Sequence, residues 1–183
     1  MIFFIIAGCD NNIEDSNPPE TPTDTIAPQP VFNYDLMSSS FKELVKNDTA
    51  IIRGIDWNST LSDVSSIEDS KTVVEQGDDY INYLIPISTN EQCDLIYYFN
   101  EAAIVQKIEL NIYPQNEASR AKLYEEFIKY FNFKYGLPTS EISEVKIWNH
   151  SESNTYVEIR MLGNSKIHDL QIDIKNLLVN DNF

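Results

Sequence analysis

The chain has few side chains suited to acid–base or metal chemistry. Its two histidines, His150 and His168, stand eighteen residues apart. Neither has a His or Cys neighbour at ligand spacing, so each reads as a solvated or core residue and not as a zinc ligand. His150 lies in the turn-like stretch "WNHSESN". His168 shares parity with Leu170 and Ile172, at the margin of a core face. The close carboxylate pairs are Asp78-Asp79, Glu125-Glu126, and Glu141 with Glu144. Glu125 and Glu126 are neighbours on a helix and diverge. Asp78-Asp79 reads as turn chemistry, with a loose calcium site left open. Two cysteines, Cys9 and Cys93, form no C-x-x-C pair, which leaves a redox or zinc motif without support. Cys93 falls on the apolar parity of a strand and reads as a small core residue. No G-x-S-x-G elbow or glycine-rich phosphate loop occurs among only five glycines. The residues therefore point to no catalytic group, no metal and no cofactor, and the chain is expected not to be an enzyme.

Cys9 is the exception, because its surroundings suit a covalent modification. Ile2 to Ile6 are apolar, and Ile6-Ala7-Gly8-Cys9 resembles the bacterial lipobox. The resemblance implies a signal peptide over residues 1–8, cleaved before Cys9, and a diacylglycerol on the Cys9 thiol. No Lys or Arg precedes Lys42, so the basic n-region of a signal peptide is missing. An N-terminal truncation, or a start assigned too far downstream, would leave the segment in this form. A buried N-terminal strand is the alternative. Residues 9–36 then read as an acidic, Pro-rich linker. Five of the eight prolines fall between positions 10 and 30, beside Asp10, Glu14, Asp15, Glu20 and Asp24. Such a segment buries too little to offset its ordering entropy. In polyproline II form it would hold a domain ~60 Å from an anchor. The pairing of anchor and acidic tether resembles lipoproteins of Bacteroidetes-type bacteria. Asp24-Thr25-Ile26 and Asp48-Thr49-Ala50 also resemble the O-glycosylation motif of that lineage.

Residues 37–183 are expected to form one domain. Ser40-Phe41-Lys42-Glu43 reads as a capping box that starts a short helix to about Lys46. Thr60-Leu61-Ser62-Asp63 opens a second helix to about Glu68. The period then changes to two. Ile81, Tyr83, Ile85 and Ile87 share one face, as do Cys93, Leu95, Tyr97 and Phe99, and then Ile104, Ile108, Leu110 and Ile112. "KTVVEQ" is a further strand ahead of these. Leu123, Tyr124, Phe127, Ile128, Phe131 and Tyr135 make the apolar stripe of a long helix, capped by Asn116 and ended by Gly136 and Pro138. Strands follow at Val145 to Trp148, Tyr156 to Leu162 and Ile167 to Ile174. The fold class is α+β: an antiparallel sheet, made of a meander plus a closing hairpin, packed on one long helix, with short N-terminal helices.

Within this frame, Gly54-Ile55-Asp56-Trp57-Asn58-Ser59-Thr60, with Asp63-Val64, resembles the opening motif of the BamE/SmpA/OmlA-like envelope lipoprotein group. Asn58 stands where that motif has Gly. Tyr97-Tyr98-Phe99 with Ile104 to Ile108 resembles the hairpin of the group. Lys134-Tyr135-Gly136-Leu137-Pro138 resembles a helix end found in secreted domains of this type. The resemblance covers Gly54 to Pro138. It implies a binding or scaffolding role in the envelope and carries over no catalytic residue.

A net charge of −16 and a pI near 4.3 disfavour binding to nucleic acid. Candidate partner-binding residues are the aromatics Trp57, Trp148, Tyr98 and Tyr113. The two tyrosines fall on the parity opposite the apolar one. All four, Trp57 and Trp148 included, are either exposed aromatics that anchor a protein or glycan, or core covered by the long helix. The leading expectation is a non-catalytic protein of the cell envelope, anchored to the outer membrane through Cys9, whose domain binds a macromolecule. The alternatives are an acidic inhibitor or immunity-type protein that caps a cationic partner and, ranked last, a glycan hydrolase.

Overall fold

The computed structural model describes residues 32–163 and 169–178. Cys9, the expected signal peptide, nearly all of the expected linker, and His168 lie outside the described residues. Eight antiparallel strands form one sheet: β1 (Val73–Gln76), β2 (Tyr80–Ser88), β3 (Glu91–Phe99), β4 (Val105–Tyr113), β5 (Ser140–Ile142), β6 (Val145–His150), β7 (Thr155–Met161) and β8 (Leu170–Asn176). Their spatial order is β1-β2-β3-β4-β8-β7-β6-β5. The sheet is thus two four-stranded meanders joined where β4 pairs with β8. The closing unit is larger than the expected hairpin, because β5 pairs with β6 through Ser140↔Ile147 and Ile142↔Val145.

Among the described residues three α-helices accompany the sheet: α1 (Ser39–Val45), α2 (Leu61–Ile67) and α3 (Glu117–Tyr135). With 19 residues α3 is the longest, but Phe41 and Leu44 of α1 and Val64 of α2 enter the same core. Cover for the sheet is therefore shared and does not come from one helix. The mixed α+β class follows directly.

Each helix start carries a side-chain cap. Thr60 accepts from the Asp63 amide while Asp63 accepts from the Thr60 amide, a reciprocal cap on α2. Asn116 accepts from the Ser119 amide and caps α3. The cap of α1 is Ser38, not Ser40. Glu126 of α3 fixes Ser38 by accepting from its amide at 2.8 Å and its hydroxyl at 2.6 Å. Ser40 turns away and donates to Glu91 at 3.0 Å. Gly136, at φ +80°, ends α3 in a conformation that disfavours side chains.

The period-two stripes meet in register. Ile81 pairs with Tyr97, Tyr97 with Ile108, Ile108 with Ile174 and Ile174 with Val157, a continuous buried row across five strands. Ile104 leaves its expected stripe. A bulge brings Val105 opposite Phe99, so Val105 enters the core and Gln106 drops out of the pairing. Gln106 is buried there and donates to the Phe99 carbonyl at 3.1 Å.

One buried network crosses the helix side of the sheet. Arg53 sits in the loop before α2 at φ +56° and is 1 % exposed. Its guanidinium holds Glu68 through two bonds of 2.7 Å and donates to the carbonyls of Glu43 and Leu44. Tyr97 and Lys46 donate to the same carboxylate at 2.9 and 3.0 Å. Every partner of this buried charge is itself bonded, as burial of an ion pair demands.

Candidate functional site

Helices α1, α2 and α3 lie on the apolar face of the sheet. The other face carries alternate residues of the same strands, and among the described residues no helix covers it. Tyr80, Tyr98, Lys107, Lys175 and Tyr156 form one row across β2, β3, β4, β8 and β7. Glu109, Asp173 and Glu158 form the next row, and Asp94, Asn111, Gln171 and Arg160 the row after that. These side chains are half-buried by one another, apart from the more deeply packed Asp173.

The face is a lattice of ion pairs and aromatic rings. Lys107 bridges Glu109 at 2.8 Å and Asp173 at 3.1 Å, and lies 4.9 Å from the centre of the Tyr98 ring. Arg160 pairs with Glu158 and reaches Asp173 at 3.5 Å. Tyr156 donates to Glu158 at 2.6 Å, and Lys175 lies 5.9 Å from its ring centre. Burial opposes charge on Glu109, but Lys107 and Asn111 hold its carboxyl below the usual range. Burial and the Asp94 carboxylate, 3.0 Å away, push the Tyr113 phenol up to about 12. Glu75 of β1, which accepts from Tyr80 at 2.6 Å, joins Asp94, Glu109, Glu158 and Asp173, so five carboxylates face Lys107, Arg160 and Lys175. The central carboxylates Glu109, Asp173 and Glu158 are ion-paired, while Glu75 and Asp94 at the margin accept from tyrosine hydroxyls.

The expected binding aromatics separate into three groups. Tyr98 and Tyr113 belong to this open face, so cover by the long helix does not apply to them. Trp148 does not belong to any surface. It is 1 % exposed, packs 5.6 Å from Phe131, and donates its indole N–H to Asn132 and the Gly136 carbonyl, both at 3.1 Å. Its parity on β6 faces α3, which corrects its place among the candidates. Trp57 is half-buried in the loop before α2, on the helix side of the molecule. It donates to Thr155 at 3.0 Å and borders a cleft of about 330 Å³ shared with Lys134 and Tyr135.

The residues first considered for chemistry do not converge. His150 bonds locally with Ser153, and its ring lies tilted against Tyr135 at 5.4 Å. Glu125 is exposed while Glu126 is occupied by Ser38. Glu141 pairs with Lys146 at 2.6 Å. Asp78 and Asp79 form an exposed turn after Gly77, where a Cβ would meet the Tyr80 ring at 2.4 Å. Among the described residues, no group of three His, Cys, Asp or Glu side chains is placed to hold a metal ion. None of the described helices is long and apolar enough to cross a membrane.

Two features escaped the sequence reading. Buried Arg53 left only a faint signal, a lone cation inside the apolar run "IIRGI". The cleft joins Trp57 to Lys134-Tyr135, two stretches noticed separately about 77 positions apart, and nothing local announces that they meet.

No family model and no curated protein matches the chain. Among solved structures it is similar to a DUF4309 family protein, YjgB, from Bacillus subtilis subsp. subtilis. The identity is 12 %, the match covers 75 % of this chain and 90 % of that one, and the TM-score is 0.37. A likeness at that score carries no argument about fold or function.

Proposed function

We propose that the chain is a non-catalytic binding protein of the cell envelope, held at the outer membrane by a lipid on Cys9, and that its partner docks on the open face of the sheet. The observation behind this reading is the uncovered face itself, where Tyr80, Tyr98, Tyr113 and Tyr156 stand among paired charges. Aromatic rings already held in place lose little entropy on binding, and their hydroxyls keep the surface wettable. Paired ions around them give orientation more than affinity. The lipobox-like Ile6-Ala7-Gly8-Cys9 and the acidic, Pro-rich stretch after it support the anchored location.

The pairing of Glu109, Asp173 and Glu158 with Lys107 and Arg160 favours this reading over a cap for a cationic enzyme, which would want unpaired carboxylates at its centre. The experiment is a paired one. Replacing Tyr98 and Tyr113 together by Ala, with the melting temperature unchanged within a few degrees, lowers retention of the protein on purified envelope at least tenfold. Equal retention of the double variant removes the face from the account. Palmitate labelling of wild type and Cys9→Ala tests the anchor separately, since label on both, or on neither, contradicts it.

A further inference from the structure

The cleft beside Trp57 lies on the helix side of the sheet, away from the open face, and has a chemistry of its own. Trp57 cannot turn to seek a hydrogen bond, because Thr155 already accepts from its indole N–H at 3.0 Å. Thr155 is fully buried and saturated: it also accepts from the Ser153 hydroxyl and donates to the Ser153 carbonyl, both at 3.0 Å. What the indole still offers is its ring. Tyr135 adds a second ring, packed 6.0 Å from Phe131 and 5.4 Å from His150. The rim holds Asp56 and Asn58, both exposed, whose side chains make no hydrogen bond among the described residues.

Lys134 forms one wall and limits the ligand. Its ammonium donates to the Ala50 carbonyl, to the Ile51 carbonyl at 3.1 Å and to the Tyr130 hydroxyl at 2.9 Å. All three donors are spent, so no free cation waits for a phosphate or carboxylate. The Lys134 ammonium in the wall and the Asp56 carboxylate on the rim offset each other, which favours a ligand without net charge. Asp56 and Asn58 on the rim offer an acceptor and an amide to hydroxyls that a purely apolar ligand lacks. The remaining class has an apolar ring face and hydroxyls around its edge. A volume of about 330 Å³ suits one or two such rings, at the small end of ligand sites.

We infer that this cleft binds an uncharged pyranose unit of a glycan, stacked on Trp57 and Tyr135 and hydrogen-bonded by Asp56 and Asn58. The test uses the full chain and four fluorescein-labelled probes: chitotetraose, cellotetraose, maltotetraose and mannotetraose, followed by fluorescence polarisation. At least one probe is expected to bind with a dissociation constant below a few millimolar. Trp57→Ala should weaken it at least tenfold. Asn58→Ala changes only an exposed side chain and should weaken it about threefold with unchanged melting, while Tyr98→Ala on the open face should leave it unaltered. Failure of all four probes to bind overturns the inference. So does binding that ignores both Trp57→Ala and Asn58→Ala, or that is lost with Tyr98→Ala.

Discussion

Arg53 and Glu68 face each other through two bonds of 2.7 Å, with both side chains 1 % exposed. The pair links the loop before α2 to the residue that ends α2, and through Tyr97 to the centre of β3. Removing one partner leaves the other charged and buried. Glu68→Gln and Arg53→Met are each expected to lose about 3–5 kcal/mol in urea unfolding. The double replacement Arg53→Met with Glu68→Leu should lose less than the sum, because neither charge is then stranded.

The same pair sets a pH dependence. Burial alone would raise the Glu68 carboxyl, but Arg53 and then Lys46 hold it below its ordinary value of 4.5. A carboxyl depressed in the folded state stabilises above its unfolded pKa, and that contribution is lost as pH falls through the folded value. Wild type should therefore lose stability below about pH 4.5 more steeply than Glu68→Gln. Urea midpoints measured between pH 3 and 6 check the slope, and parallel curves would contradict it.

Trp148 should behave as a core residue. Trp148→Ala is expected to cost about 3–5 kcal/mol. Trp148→Phe should cost about 1–3 kcal/mol, since Asn132 and the Gly136 carbonyl lose their shared donor. Trp148→Phe should leave partner binding unchanged at a temperature where the protein is folded.

Cys93 should be inert in the native state. It is fully buried, and burial pushes its thiol well above the ordinary range. In protein carrying Cys9→Ser, iodoacetamide should label Cys93 only in denaturant, as read by intact mass. Stoichiometric native labelling within minutes would mean that β3 opens far more readily than this core implies.

The sequence was most legible where one local cause was enough. Thr60 and Asp63 sit three apart and cap α2 without outside help, and alternation named the buried face correctly along β3 and along β2 as far as Pro86, where the register shifts. It was least legible where a distant partner decided the outcome. Ser38 and Ser40 are equally able to cap α1, and Glu126, 88 residues from Ser38, makes the choice. A bulge opposite Phe99 exchanged Val105 for Gln106, which no alternation count foresees. Parity put Tyr98 and Tyr113 on their own face, but which face the helices would cover was a tertiary matter. For Trp148 the parity was available and its meaning was not, since the helix that buries it lies elsewhere in the chain.

The open face is the central claim, and site-specific photocrosslinking tests it most directly. p-Benzoylphenylalanine at Tyr98, in full-length protein on intact cells, should give a discrete adduct with its envelope partner. The same group at Glu125, exposed on α3 on the opposite side, should give none. An adduct from Glu125 with none from Tyr98 would contradict the account.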